Sequence, residues 1–154
     1  MSGGERQRGG VDVRRGTTAR RQARELAFRV CYQGALTGDG YAATWAALRA
    51  GESLSDDQRE LVDDVVGLLA ARADEVDALL AAACAHWPLE RLAATDRSVL
   101  RAAVAELLAR PGTPARVVLD EAIELARRYG SAESGGFVNG VLDQVARGLR
   151  PGEM

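Results

Sequence analysis

The stretch DRSVLRAAVAELLARPGTP, residues 96–114, decides the fold class of this sequence. Its PGTP turn ends one predicted helix, and Thr113 followed by Pro114 predicts the N-cap and first residue of the next. The whole chain is Ala-rich, 47% apolar and has only four prolines, which favours helices over a sheet. We therefore predict an all-α protein. Residues spaced three and four apart form the apolar face of the first of these helices: Val99, Leu100, Ala103, Val104, Leu107 and Leu108.

Helix start and stop signals elsewhere predict about seven helices in total. Ser55 with Gln58 three residues later is a capping-box pattern, so a helix should start near Asp56. Gly130 should stop the helix that begins after the PGTP turn, and the last helix should start after Ser134. The remaining predicted helices cover 18–36, 41–50, 73–86 and 96–109.

The N-terminal end of the chain is basic, although the total charge is −2. Residues 1–29 hold eight arginines and three acidic residues, a local charge of +5, so the other 125 residues carry −7. Residues 1–16 contain five glycines and little apolar surface, which predicts a disordered basic arm ahead of one helical domain over 17–151. This concentration of positive charge at one end of the chain suggests an anionic partner.

The segment TTARRQARELAFRVCYQ, residues 17–33, concentrates this charge on one predicted helix. A helical wheel places Arg20, Arg21 and Arg24 opposite the apolar face, near the helix end where positive charge is disfavoured. Guanidinium groups suit both phosphates and base stacking, so the cluster favours a polyanion site, with a merely solubilising surface as the alternative. Phe28 and Tyr32 lie near the same side, either as part of that surface or under a packed helix.

The sequence shows no catalytic constellation and predicts no metal or cofactor. His86 is the only histidine, and with Cys84 it offers two ligands where a structural zinc site needs four. A small enzyme or metalloprotein using this pair is therefore the least favoured interpretation. The N-terminus lacks a secretory signal and no apolar run reaches the ~20 residues of a membrane span, so we expect a cytoplasmic protein without membrane segments.

Three blocks, ARRQARELAFRVCYQ, DRSVLRAAVAEL and DEAIELARRYGSAESGGFVNGVLD, occur in this order. From Thr18 to Pro151 the chain resembles the NusB family of bacterial transcription antitermination factors. The resemblance implies an all-α fold of two packed helical subdomains without enzymatic activity. It also implies a ribosomal-protein partner, NusE, which together with the family member holds single-stranded boxA RNA and joins the RNA polymerase antitermination complex on ribosomal RNA operons.

The resemblance also implies two sets of site residues. The first matches the family's arginine-rich motif and RNA surface, and the second matches positions that face the ribosomal protein. The RNA-binding set is Arg20, Arg21, Arg24, Phe137, Glu133 and Ser134, and the partner-binding set is Tyr32, Asp96 and Arg101.

Two positions depart from the family pattern. Gln22 stands where relatives have another arginine, and Gly135 with Gly136 precedes Phe137 where a basic residue is familiar. The alternative function is therefore a protein-interaction adaptor, or a homodimer in isolation, with weak RNA binding of its own.

Overall fold

The computed structural model describes the backbone from Ser2 onward and the side chains of residues 18–154. Within these residues the chain forms helices and no strands, so the predicted all-α class is confirmed. None of the described helices is long and apolar enough to cross a membrane. The six α-helices are α1 (Ser2–Thr37), α2 (Tyr41–Ala50), α3 (Asp56–Ala83), α4 (Ala94–Ala109), α5 (Ala115–Tyr129) and α6 (Ser134–Leu149), with a 3₁₀ helix at Leu89–Arg91.

The backbone of α1 begins earlier than the predicted helix over 18–36. The side chains of residues 1–17 lie outside the described residues. The disordered arm over 1–16, and its boundary with a domain over 17–151, therefore stay predictions.

One kinked helix, α3, replaces two of the predicted helices. Its backbone leaves helical geometry only at Arg72, with φ −134° and ψ 34°, one residue before the predicted second helix. The helix ends at Ala83, three residues before the predicted end at 86. Its start is as predicted, because the Gln58 N–H donates to Ser55 Oγ (3.2 Å) and the Ser55 N–H donates to Gln58 Oε1 (3.0 Å). The capping box is confirmed.

The start of α5 differs from the prediction. Pro114, not Thr113, is the N-cap, and it offers no side-chain acceptor. The Ala115 N–H instead donates to Glu153 Oε1 at 2.7 Å, and the Thr113 carbonyl accepts from Arg150. The returning C-terminal segment thus supplies the carboxylate that satisfies this helix end. Gly130 is the C-cap of α5, as predicted.

Helix α4 is the centre of the molecule. It packs against α1, α3, α5 and α6, while α2 packs against α1 and α3. The six helices therefore share one core, in which Leu100 and Val104 are fully buried. Because α4 is enclosed on several sides, it also buries one charged residue, Glu106. That carboxylate needs a buried partner.

Candidate nucleic-acid interface

Two of the three clustered arginines reach solvent from α1. Arg20 and Arg21 are each more than half exposed. The Nε atom of Arg20 lies 3.4 Å from Asp57, and the Nε atom of Arg21 lies 3.1 Å from both carboxylate oxygens of Glu121. The guanidinium groups are thus held by acidic residues of α3 and α5 while much of their surface stays open.

Arg24 is buried, which the helical wheel did not predict. Its Nε atom donates to both Glu106 oxygens at 2.9 and 3.1 Å, and its Nη2 atom donates to Oε2 at 2.8 Å. The side chains of Arg24 and Glu106 keep only 9% and 4% of their exposed area. The prediction that Arg24 points away from the core is wrong because α4 covers that side of α1. We call Arg20 and Arg21, with Arg24 beneath them, the arginine surface.

Gln22, which lies between the clustered arginines, has a structural contact. Its Oε1 atom accepts from Gln58 Nε2 at 3.0 Å, and the same amide donates to the Ala19 carbonyl at 3.1 Å. The amide of Gln58 thereby ties the start of α3 to α1. A groove beside this region runs from the arginine surface to the turn between α4 and α5, and residues such as Arg110 and Thr113 line it.

The second part of the predicted RNA set lies in another pocket, at the start of α6. Phe137 is half-buried there beside Trp87, which is more than half exposed. Glu133 is exposed on the rim, whereas Ser134 is buried and its Oγ accepts from the Ser131 N–H at 2.9 Å. The hydroxyl of Ser134 is therefore engaged in the turn before α6. We call this site, with His86, Arg91 and Asp96 also in its lining, the Phe137 pocket.

The structure divides the predicted partner-binding residues as well. Asp96 lines the Phe137 pocket, and its Oδ1 atom is buried without a hydrogen-bond partner among the described residues. Arg101 lies elsewhere on α4 and donates to both oxygens of Asp77, at 2.9 and 3.1 Å. Burial works against the charge of Arg101, but the hydrogen bond and charge of Asp77 hold its guanidinium pKa above the ordinary value.

Aromatic residues join α1 to the end of α5. Tyr32 is half-buried and stacks on Phe28 with ring centroids 6.0 Å apart, and Phe28 stacks on Tyr129 at 5.0 Å. Phe28 is itself buried, so the packed alternative is correct for Phe28. The hydroxyl of Tyr129 donates to Glu25, and this hydrogen bond raises the tyrosine pKa.

Sequence reasoning missed the residues that hold these groups in place. Glu106 lies 82 residues after Arg24 and Glu121 lies 100 residues after Arg21, each on another helix. The spacing of residues along α1 therefore could not predict these ion pairs. The sequence did contain a signal for two further basic residues near the site, because Arg127 and Arg128 are adjacent and form the basic last turn of α5. Within the described residues, no three metal-ligating side chains are grouped, and Cys84 is buried.

Comparison with known proteins finds similarity to one protein family. A sequence profile of the NusB family matches residues 21–147. The transcription antitermination protein NusB of Koribacter versatilis is 41% identical over 136 residues, covering 86% of this chain and 92% of that protein. The protein of the same name from Anaeromyxobacter dehalogenans is 44% identical over 138 residues, covering 88% and 95%.

Solved structures resemble most of this chain. A structure of T. maritima NusB superposes with a TM-score of 0.76 at 33% identity, covering 83% of this chain and 90% of that one. A crystal structure of the antitermination factors NusB and NusE in complex with dsRNA also gives a TM-score of 0.76, at 25% identity, covering 85% and 98%.

Proposed function

The chain belongs to the NusB family, and we propose that it is a transcription antitermination factor that binds boxA RNA together with the ribosomal protein NusE. In this role it catalyses no reaction and acts only by binding its partners, in the cytoplasm. It helps to assemble the RNA polymerase antitermination complex on ribosomal RNA operons. The family match over residues 21–147 is the observation that carries the proposal.

The arginine surface supports an RNA contact. Arg20 and Arg21 are exposed, and the exposed pair of Arg20 with Asp57 contributes only about 0–1 kcal/mol, so a phosphate can replace that acidic partner at little cost. Arg24 has a different role in this proposal, because its guanidinium is buried and paired with Glu106. It fixes α1 against α4 and thereby positions the two exposed arginines.

The Phe137 pocket supports a combined RNA and protein contact. Phe137 and Trp87 present aromatic surface on which an unstacked base can pack. Asp96 and Glu133 bring negative charge to the same pocket, which suits a basic protein segment better than a phosphate. We propose that RNA contacts Phe137 and that NusE contacts Asp96, with Tyr32 and Arg101 farther along its interface.

The alternative function is an adaptor whose RNA binding depends on the partner. One observation favours it: each arginine of the predicted cluster is already paired with an acidic residue, which lowers the local positive potential. The adaptor either binds NusE as its main partner or forms a homodimer in isolation.

Fluorescence anisotropy of a labelled boxA RNA, titrated at several salt concentrations with and without NusE, tests the proposal. We compare the wild-type chain with Arg20→Gln/Arg21→Gln and with the control Arg72→Gln/Arg147→Gln. The control arginines are exposed and paired with acidic residues on their own helices, so both doubles lower the charge equally. The salt slope is the steepness with which the logarithm of the RNA affinity falls with the logarithm of the salt concentration. The Arg20→Gln/Arg21→Gln variant should lower it by roughly 1.4, at about 0.7 per phosphate contact on a single strand.

The outcomes separate the two functions. RNA binding by the chain alone, weakened in the first double and retained in the control, supports direct RNA recognition. Binding that requires NusE and is equal in all three variants supports the adaptor. Absence of RNA binding in both conditions would contradict the proposed function.

A further inference from the structure

The arginine surface and the Phe137 pocket have no lining residue in common, and the last turn of α5 lies between them. Its consecutive residues Arg127 and Arg128 make contacts with two different helices. Arg128 contacts α1, and Arg127 contacts α6. Neither residue belongs to the predicted sites.

Arg128 continues the arginine surface. Its Nη1 atom lies 3.2 Å from Oε2 of Glu25, a residue one helical turn beyond Arg21 on α1. Arg128 also lines a small groove together with Arg21 and Arg24. A chain of phosphates that follows α1 from Arg21 therefore meets Arg128 next.

Arg127 lies directly over the first turn of α6. A methyl group at Gly135 would come within 3.2 Å of Arg127 Cγ and 3.3 Å of its Nε atom, which is closer than ordinary van der Waals contact. An alanine at this position would require the arginine stem to move by a few tenths of an ångström. The stem therefore brings its guanidinium to the turn that carries Gly136 and Phe137, where the family pattern has a basic residue and this chain has none.

We propose that Arg127 and Arg128 form a bridge over which the RNA backbone passes from the arginine surface to Phe137. This inference rests on the proposed function. The bridge replaces the basic residue absent before Phe137 with a guanidinium from the neighbouring helix.

The exposures of the ion pairs favour phosphate binding at the bridge. The side chain of Arg128 is 58% exposed and that of its partner Glu25 is 30% exposed, and Arg21 and Glu121 show the same order at 57% and 14%. A phosphate approaching from solvent therefore meets the guanidinium before the carboxylate. Among residues 18–154, Arg127 is paired only with Glu124 on its own helix, in an exposed pair that contributes little to stability.

The first test compares Arg127→Gln/Arg128→Gln with Arg72→Gln/Arg147→Gln in the anisotropy titration, at equal change of charge. Arg147 is exposed like Arg127 and lies about 18 Å along α6 from Gly135. Loss of two phosphate contacts should lower the salt slope by roughly 1.4 and the affinity near 0.1 M salt by on the order of tenfold. The control should retain wild-type affinity within about twofold, since surface charge alone is altered there.

The second test uses the contact between Arg127 and Gly135. Gly135→Ala displaces the Arg127 stem while favouring the helix, because alanine is a better helix former than glycine. It should weaken RNA binding several-fold in the wild-type background and have no effect in an Arg127→Ala background. Circular dichroism checks that each variant keeps its helical content.

The results distinguish the bridge from the proposed function. If the wild-type chain binds RNA and the bridge double binds as well as the control double, the bridge is refuted while the function stands. If the bridge double instead loses affinity for NusE in the absence of RNA, this surface is a protein interface and the bridge is again refuted. If the wild-type chain binds no RNA with or without NusE, the proposed function fails first.

Discussion

The buried pair of Arg24 and Glu106 should contribute more to the stability of the fold than any exposed ion pair of the arginine surface. We consider Arg24→Leu and Glu106→Leu, each of which leaves one charged group in the core without its partner. Three donor to acceptor distances of 2.8–3.1 Å join the two side chains, and both are almost fully inaccessible to solvent. The remaining charge must be desolvated without compensation, or the core must open to hydrate it.

The expected magnitude is about 3–5 kcal/mol for either single substitution, as for other buried pairs that lose one partner. A domain of this size has a free energy of unfolding of about 5–15 kcal/mol, so the loss is a large share of it. The melting temperature should fall by roughly 10–15 °C. Arg20→Leu, which removes an exposed pair with Asp57 at 3.4 Å, should change the free energy of unfolding by about 0–1 kcal/mol.

The assay is urea unfolding followed by circular dichroism at neutral pH, for both single variants, the double variant and Arg20→Leu. The double variant removes both charges and leaves apolar side chains in their place, so it should be more stable than either single. A loss of under about 1 kcal/mol for both singles would refute the reasoning. A double variant whose loss equals the sum of the singles would show that the two residues are not coupled.

Three further predictions concern the fold. Ser55→Ala removes the side-chain acceptor of the capping box and should cost about 1 kcal/mol in urea unfolding, with Ser53→Ala as the control that leaves the box intact. Gly130→Ala places a methyl group against Ser134 Oγ and 2.7 Å from the Ala126 carbonyl oxygen, and it should cost about 1–3 kcal/mol by overpacking, measured as a lower melting temperature; an unchanged value would contradict the geometry. Burial raises the pKa of the Cys31 thiol to about 12, so alkylation of that thiol at pH 8 should proceed only at the rate of global unfolding, and labelling as fast as in a denatured sample would refute the burial.

Much of the helical architecture was predictable from local signals. The bounds of α2, the capping box that starts α3 and the stop of α5 at Gly130 follow from residues within a few positions of each helix end. The division of α3 at Arg72 was predicted at the right place but as two helices, because sequence signals do not distinguish a kink from a break. The cap of α5 was not predictable locally, because Glu153 lies 38 residues after Ala115 in the chain.

The sequence by itself determined that this is an all-α protein with arginines gathered at one end and an aromatic residue near the start of its last helix. Helical periodicity and local charge are properties of neighbours along the chain, so they can be read without a structure. Only the tertiary structure decided which arginines are available to a ligand. A helical wheel gives the direction of a side chain from its own axis, but the packing of α4 buried Arg24 and the end of α5 placed Arg127 over Gly135. Burial and charge pairing depend on residues about 80 positions away or more, or on a neighbouring helix, and chain spacing does not encode them.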